Sequence, residues 1–500
     1  MKDLKDRTLR GGFAKVCAQA ASFVLRIGSL MVLARLLDPK DFGLVSMVTV
    51  FTGVFSLFRD AGLSTVTVQR PTMSHEQLST LFWVNMLVGG ILAILTAAVA
   101  PVLVVFYHEP RLLQVTLWLA VGFLLNAAGV QHSALLQRNM RFGALAMVET
   151  LALVASIVVG IGMASAGFGY WALVAMALMV PGASMIGFWV ATGWIPGSPR
   201  RGIGIRSMVR FGGAVTLNNL IVYAGYNTDK ILLGRIWGAE ALGIYGRAYQ
   251  LVNIPTENLN SAVGSVAISA LSRLQEERER FKSYFLKGYS LTLVLTIPLT
   301  IFCALFADDI IFILLGPKWT GAATIFRLLA PTIVAFALIN PLYWLLVSSG
   351  HVGRSLKMAF VIAPLVTVAY VAGLPFGPKG VAFGYSAMMT LLTAPLIVWA
   401  TNGLVVSWRD ILKAMRPPFL SAAVATAVGV AAAPLLGKIH LPLPRLLLEG
   451  GVVLASYLGV LLSDAEQRRF YFDLLGDLLR SSRVQSVRIE ATPAVERPAI

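Results

Sequence analysis

Apolar stretches of about 20 residues, the length a helix needs to cross a bilayer, alternate with short polar turns along almost the whole chain. The alternation predicts fourteen spans, near 12–36, 43–67, 78–106, 112–136, 144–165, 168–195, 208–234, 240–268, 285–307, 320–348, 355–374, 379–405, 416–436 and 443–462. Gly and Pro, which interrupt helices, mark several of the turns, as in His108-Glu109-Pro110-Arg111, Gly167-Phe168-Gly169 and Gly377-Pro378-Lys379-Gly380. The first apolar stretch follows Lys2, Lys5, Arg7 and Arg10 and contains Lys15 and Arg26, so it reads as a retained membrane helix rather than a cleaved leader. The expected class is an all-α polytopic membrane protein.

One polar passage occurs twice. Arg35-Leu36-Leu37-Asp38-Pro39-Lys40-Asp41-Phe42-Gly43-Leu44 returns as Arg235-Ile236-Trp237-Gly238-Ala239-Glu240-Ala241-Leu242-Gly243-Ile244, and Gly12 and Ala14 return upstream as Gly212 and Ala214. A duplicated membrane half is characteristic of transporters that move two lobes about a central site. With six spans per copy, both copies start on the same side and form parallel repeats. The expected parts are an N-terminal lobe at 1–195, a basic linker at 196–207, a second lobe at 208–406, two further spans at 407–463 and a tail at 464–500.

Polar side chains inside the spans are the candidate chemistry. Lys15, Gln19, Ser22, Arg26 and Ser29 recur at steps of four and three, which places them on one helix face. Cations on that face avoid lipid and require protein or a watery cavity. Span two adds Arg59 and Asp60, span seven Asn219, Tyr223, Tyr226, Asp229 and Lys230, and span eight Tyr245, Tyr249 and Glu257. Such residues serve equally to hold helices together by hydrogen bonds. As cavity linings, Arg and Lys suit an anionic substrate and tyrosines suit sugar rings, whereas Asp60, Asp229 and Glu257 are candidates for binding Na+ or a proton. Arg35 and Arg235 stand at outer helix ends, where they snorkel or cap the turn, and are assigned to the loop or gate.

Composition agrees with the pattern. The chain of 500 residues is 57% hydrophobic and 13% charged, against about 25% charged in soluble domains. A net charge of +17 would suit nucleic acid, but the basic residues are dispersed among short loops between apolar stretches, which excludes it. With the N-terminus inside, loops on that side hold fifteen Lys and Arg against six outside, so both termini are expected in the cytoplasm. Cys17 and Cys303, both in apolar stretches, offer no disulfide framework. His75, His108, His132, His351 and His440 are scattered, and no outer loop is long enough to fold. No catalytic site, metal site or cofactor is therefore expected.

The passage Ala34–Gly43 resembles the first-loop motif of bacterial polysaccharide exporters of the Wzx type. So do Asn227-Thr228-Asp229-Lys230-Ile231-Leu232-Leu233-Gly234, Leu242-Gly243-Ile244-Tyr245 with Ala248-Tyr249, and Leu315-Gly316-Pro317-Lys318-Trp319. The resemblance covers about 5–460 and is greatest to the lipopolysaccharide and colanic-acid exporters of the MOP superfamily of flippases. It implies a V-shaped, two-lobed transporter of the bacterial inner membrane that works by alternating access. Its implied substrate is an undecaprenyl-pyrophosphate-linked oligosaccharide, and its implied partners are the polysaccharide polymerase and chain-length machinery. Spans one, two, seven and eight would line a cationic cavity; Arg35, Asp229, Lys230 and Tyr245 match the motifs, while Arg26 follows from periodicity alone. Two other readings stay open on the residues: a cation-coupled multidrug or small-molecule antiporter, favoured by Asp60, Asp229 and Glu257, and a membrane-bound oligosaccharide polymerase or ligase.

Overall fold

The computed structural model describes residues 2–59, 64, 67–68, 73–199, 206–436, 439, 441–463, 465, 467–469 and 471. Among them all regular structure is helical. Helices α1 (Lys2–Leu36), α2 (Pro39–Ser56), α3 (His75–Tyr107), α4 (Leu112–Arg138), α5 (Phe142–Ser165) and α6 (Tyr170–Thr192) cover the first six predicted spans. α7 (Arg206–Arg273) holds spans seven and eight as two arms that meet at Gly238, whose φ of 80° and ψ of −175° interrupt the helix. Glycine takes that left-handed φ without steric cost, so a single residue replaces the loop the sequence predicts. Then come α8 (Arg278–Leu305), α9 (Ala307–Leu314), α10 (Thr320–Leu329), α11 (Pro331–Ser348), α12 (Val352–Gly373), α13 (Gly377–Thr401), α14 (Trp408–Leu436) and α15 (Pro442–Ser463).

Local chemistry sets several ends. At the start of α3 the Gln77 amide donates to Ser74 Oγ at 3.2 Å and the Ser74 amide to Gln77 Oε1 at 3.0 Å, a reciprocal capping box. Pro39 opens α2, where its missing N–H would be unpaired in any case. α2 stops earlier than predicted. The amides of Leu57, Phe58 and Arg59 donate to carbonyls three residues back, so the helix tightens and ends before Arg59. Predicted span ten is divided between α10 and α11 at Pro331.

The chain divides into two compact units. The first comprises Met1–Leu251, Ile310–Leu329 and Ala359–Met388; the second comprises Val252–Asp309, Ala330–Met358 and Met389–Ile500. In the first, α3 packs along α4, α5 along α6, α4 along α6 and α1 along α5, with α2 against α4 and α6. Leu92, Ala93, Ala120 and Phe123 form one buried cluster there, and Leu136, Leu145, Val148 and Phe188 another. In the second unit α14 and α15 pair, and both lie on α8, as does α11. The Tyr289 hydroxyl donates to the Leu338 carbonyl at 3.1 Å, and Arg445 Nε donates to Asp309 Oδ2 at 2.9 Å.

Ten stretches among the described residues are long and apolar enough to cross a membrane. Large apolar side chains on them, Ile94, Val105, Val190 and Leu391 among them, are exposed, the surface that a bilayer rather than water covers. The protein is therefore a multi-pass membrane protein. Neither α2 nor α7 is among the ten stretches, and α7 carries most of the polar residues singled out above.

Candidate functional site

The two copies of the duplicated passage meet inside the first unit. Each copy contributes one glycine to the contact. A methyl group at Gly43 would lie 1.7 Å from the Ala239 carbonyl oxygen, and one at Gly243 would lie 1.9 Å from that of Pro39. Pro39 and Ala239 occupy the same place in the two copies, so the contact is reciprocal and only residues without a side chain permit it.

Each copy is also fastened to a turn elsewhere in that unit. Arg35 Nη2 donates to the Ile313 carbonyl at 3.0 Å, the Trp319 indole donates to the Ala34 carbonyl at 2.7 Å, and Lys318 Nζ pairs with Asp38 Oδ1 at 2.7 Å. Phe42 meets the Trp319 ring edge to face at 5.3 Å. The first-loop motif and Leu315-Gly316-Pro317-Lys318-Trp319, noted separately in the sequence, thus form one clamp. In the second copy Arg235 Nη1 lies 3.0 Å from His108 Nδ1, and its guanidinium stands 5.7 Å from the Phe106 ring centre. Arg247, which the sequence reading overlooks, lies over the Phe42 ring at 4.1 Å. Its cue was an arginine inside an apolar stretch, off the main polar stripe.

A polar cluster spans the two arms of α7. Asp229 is fully buried; its Oδ2 accepts the Tyr245 hydroxyl at 2.8 Å, while Oδ1 has no hydrogen-bond partner among the described residues. Lys230 Nζ donates to Asn227 Oδ1 at 2.7 Å and stands 4.9 Å from the Tyr249 ring centre. Tyr249 stacks on Tyr245 at 6.0 Å and meets Tyr385 of α13 at 6.2 Å, and Tyr385 meets Tyr370 of α12 at 5.3 Å. The sequence marks the first two tyrosines but not Tyr370 and Tyr385, which lie in otherwise apolar stretches. No group of three His, Cys, Asp or Glu side chains among the described residues is placed to hold a metal ion.

Arg59 lies elsewhere in the same unit. It lines a cavity of about 600 Å³ between α2, α4, α5 and α6, with Thr52, Asn126, Gln137, Glu149 and Ser184. Asn126 Oδ1 is buried and without a hydrogen-bond partner among the described residues. Asn126, Gln137 and Glu149 were not singled out from the sequence, where Asn126 and Gln137 stand eleven residues apart on one helix and Glu149 on the next.

The remaining candidates whose side chains are described join none of these sites. Gln19 and Arg26 are exposed on α1 while Ser29 of the same stripe is buried, so the stripe does not share one environment. Glu257 is exposed in the second unit. Tyr223 donates to the Val50 carbonyl at 3.0 Å and packs against Gly53, where an added Cβ would fall 1.9 Å from its hydroxyl; its place is a helix contact. Asp60 and the side chains of Lys15, Asn219 and Tyr226 lie outside the described residues.

These helices define a class: a multi-pass membrane protein whose fold is shared with a lipid II flippase. The structure of the lipid II flippase MurJ in an inward closed conformation superimposes with a TM-score of 0.73, covering 92% of this chain and 99% of that one at 14% identity. The lipopolysaccharide biosynthesis protein WzxC of Escherichia coli (strain K12) is 24% identical over 402 residues, 78% of this chain and 80% of WzxC. The teichuronic acid biosynthesis protein TuaB of Bacillus subtilis (strain 168) is 30% identical over 331 residues, 62% of this chain and 68% of TuaB. The model of the polysaccharide biosynthesis protein family matches residues 32–324, and the chain belongs to that family.

Proposed function

We propose that this protein is an alternating-access flippase of the bacterial inner membrane. It moves an undecaprenyl-pyrophosphate-linked oligosaccharide to the outer leaflet for surface polysaccharide assembly, with both termini in the cytoplasm. The observation that carries the reading is the reciprocal contact at Gly43 and Gly243. It joins the two repeats by backbone approach and by exposed polar pairs such as Lys318 with Asp38. Exposed ion pairs are weak, so such a seal can part and re-form within a transport cycle. In this scheme it closes the periplasmic end, and the lobes at 1–195 and 208–406 move against each other about the linker at 196–207.

The Arg59 cavity supports a place for the sugar. Its amides, hydroxyls and guanidinium offer donors and acceptors in a partly enclosed space. Lys15, Gln19, Arg26, Asn219 and Tyr226 are proposed to line the path of the pyrophosphate. Asp229 supports coupling to Na+ or H+, since one carboxylate oxygen is buried and open to a cation or a proton. Asp60 and Glu257 are the secondary candidates. Polysaccharide polymerase and chain-length machinery are the partners that such a flippase would feed.

Deleting the gene and fractionating the lipids tests the reading. Undecaprenyl-linked oligosaccharide should accumulate facing the cytoplasm while surface polysaccharide disappears, and wild-type but not Arg59→Ala protein should restore it. Unchanged surface polysaccharide with raised sensitivity to cationic drugs would replace the flippase with an antiporter.

A further inference from the structure

The second unit holds a cavity of about 420 Å³ that none of the transport assignments uses. One face of α8 contributes Glu279, Ser283, Lys287 and Ser290, and one face of α14 contributes Asp410, Lys413 and Pro417; the steps of three and four put each set in line. Lys282 and Gln467 complete the charged and polar lining.

The charges are not balanced within it. Lys282 pairs with Asp410 at 2.8 Å. The same oxygen, Oδ2, also accepts the Ser407 amide at 2.9 Å and hydroxyl at 2.7 Å, which fixes the carboxylate that Lys282 meets. Lys287 and Lys413 have neither an ion-pair nor a hydrogen-bond partner among the described residues; Lys287 is half-buried, whereas Lys413 and Glu279 are exposed. Lys287 is half-buried beside Ser290, whose hydroxyl is already engaged with that of the buried Tyr471 at 2.7 Å. A half-buried ammonium without a counter-ion is costly, and the group that would complete it is an anion.

Position selects the anion. α8 and α14 are both long and apolar enough to cross a membrane, and the cavity lies in the first half of each, where a crossing helix meets the lipid head groups. The apolar side chains of Leu412, Phe419 and Leu420 are exposed on the same helix α14, a surface for acyl chains. Basic pockets between transmembrane helices at that level suit acidic head groups. We infer that this cavity is a binding site for the phosphate head group of an anionic phospholipid, held by Lys287 and Lys413. Lys282 stays fixed by Asp410, and Ser283 and Gln467 offer further hydrogen bonds. The site is independent of the flippase reading and asks only that the chain sit in a membrane.

The test uses the purified full chain in detergent. Native mass spectrometry would compare retention of phosphatidylglycerol with phosphatidylcholine, inorganic phosphate and undecaprenyl pyrophosphate. Phosphatidylglycerol should bind at least about tenfold more tightly than phosphatidylcholine, and the double variant Lys287→Ala/Lys413→Ala should lose on the order of tenfold, in keeping with two lysines at a charged lipid surface. The charge-keeping variant Lys287→Arg/Lys413→Arg should retain the preference, which separates loss of the site from loss of fold. Equal retention of the two phospholipids, or wild-type binding by the alanine variant, would overturn the proposal. Preferential, lysine-dependent binding of undecaprenyl pyrophosphate or of inorganic phosphate would also overturn it, giving the pocket to the transported lipid or to a soluble anion.

Discussion

At Gly43 and Gly243 a single methyl group is enough to separate the two repeats, because what stands in its way is backbone and not the end of a flexible side chain. Gly243→Ala should therefore destabilise the closed contact by about 1–3 kcal/mol, the usual cost of overpacking. The check is the unfolding midpoint of purified protein alongside export in cells; an unchanged midpoint with normal export would mean that the two helices do not meet there. Asp229 gives a second prediction. Tyr245→Phe leaves a fully buried carboxylate without its hydroxyl donor, which costs about 1–3 kcal/mol. Adding Asp229→Asn should recover much of that loss by removing the buried charge, and a thermal double-mutant cycle measures the recovery. Arg26, exposed on α1, is a simpler case: Arg26→Ala should abolish export at normal membrane levels, and wild-type export would remove Arg26 from the substrate path.

The turn between α3 and α4 shows how an element end is held. Arg111 Nε and Nη2 donate to the two oxygens of Glu109, each at 2.7 Å, and this hydrogen bonding holds the Glu109 carboxyl below its ordinary value. A carboxyl depressed on folding contributes stability above its unfolded value near 4.5, and that contribution is lost as pH falls through the lower, folded value. Glu109→Gln should thus lower the unfolding midpoint at neutral pH, and its difference from wild type should vanish on acidification; a difference independent of pH would show that the pair contributes nothing. Most of the spans were readable from hydropathy because a bilayer demands long apolar helices whatever their neighbours, although α2 and α7 fall short of that apolar length. Two boundaries were not. α2 ends before Arg59 and Pro331 divides span ten, since backbone geometry sets both within stretches of uniform hydropathy.

For the whole molecule, the clamp makes a transport prediction. Asp38 and Lys318 are salt-bridged at 2.7 Å. With both replaced by cysteine and joined by a short reducible cross-linker, export should stop and should return on reduction. Export that continues while the link is intact would show that this contact does not open during the cycle. The amino-acid chain alone already contained the class of protein, the order of its spans, the duplication and the two glycine-bearing passages, because all of these follow from local hydropathy and spacing. It could not say which polar groups meet. Periodicity aligned Arg26 with Ser29 on one face, yet one is exposed and the other buried. Tyr370 and Tyr385 join Tyr249 from helices that gave no polar signal, and the Leu315–Trp319 turn clamps a loop hundreds of residues away in sequence. Such meetings depend on how each helix is rotated and tilted against its neighbours. Non-local packing sets those angles, and no local window of residues contains them.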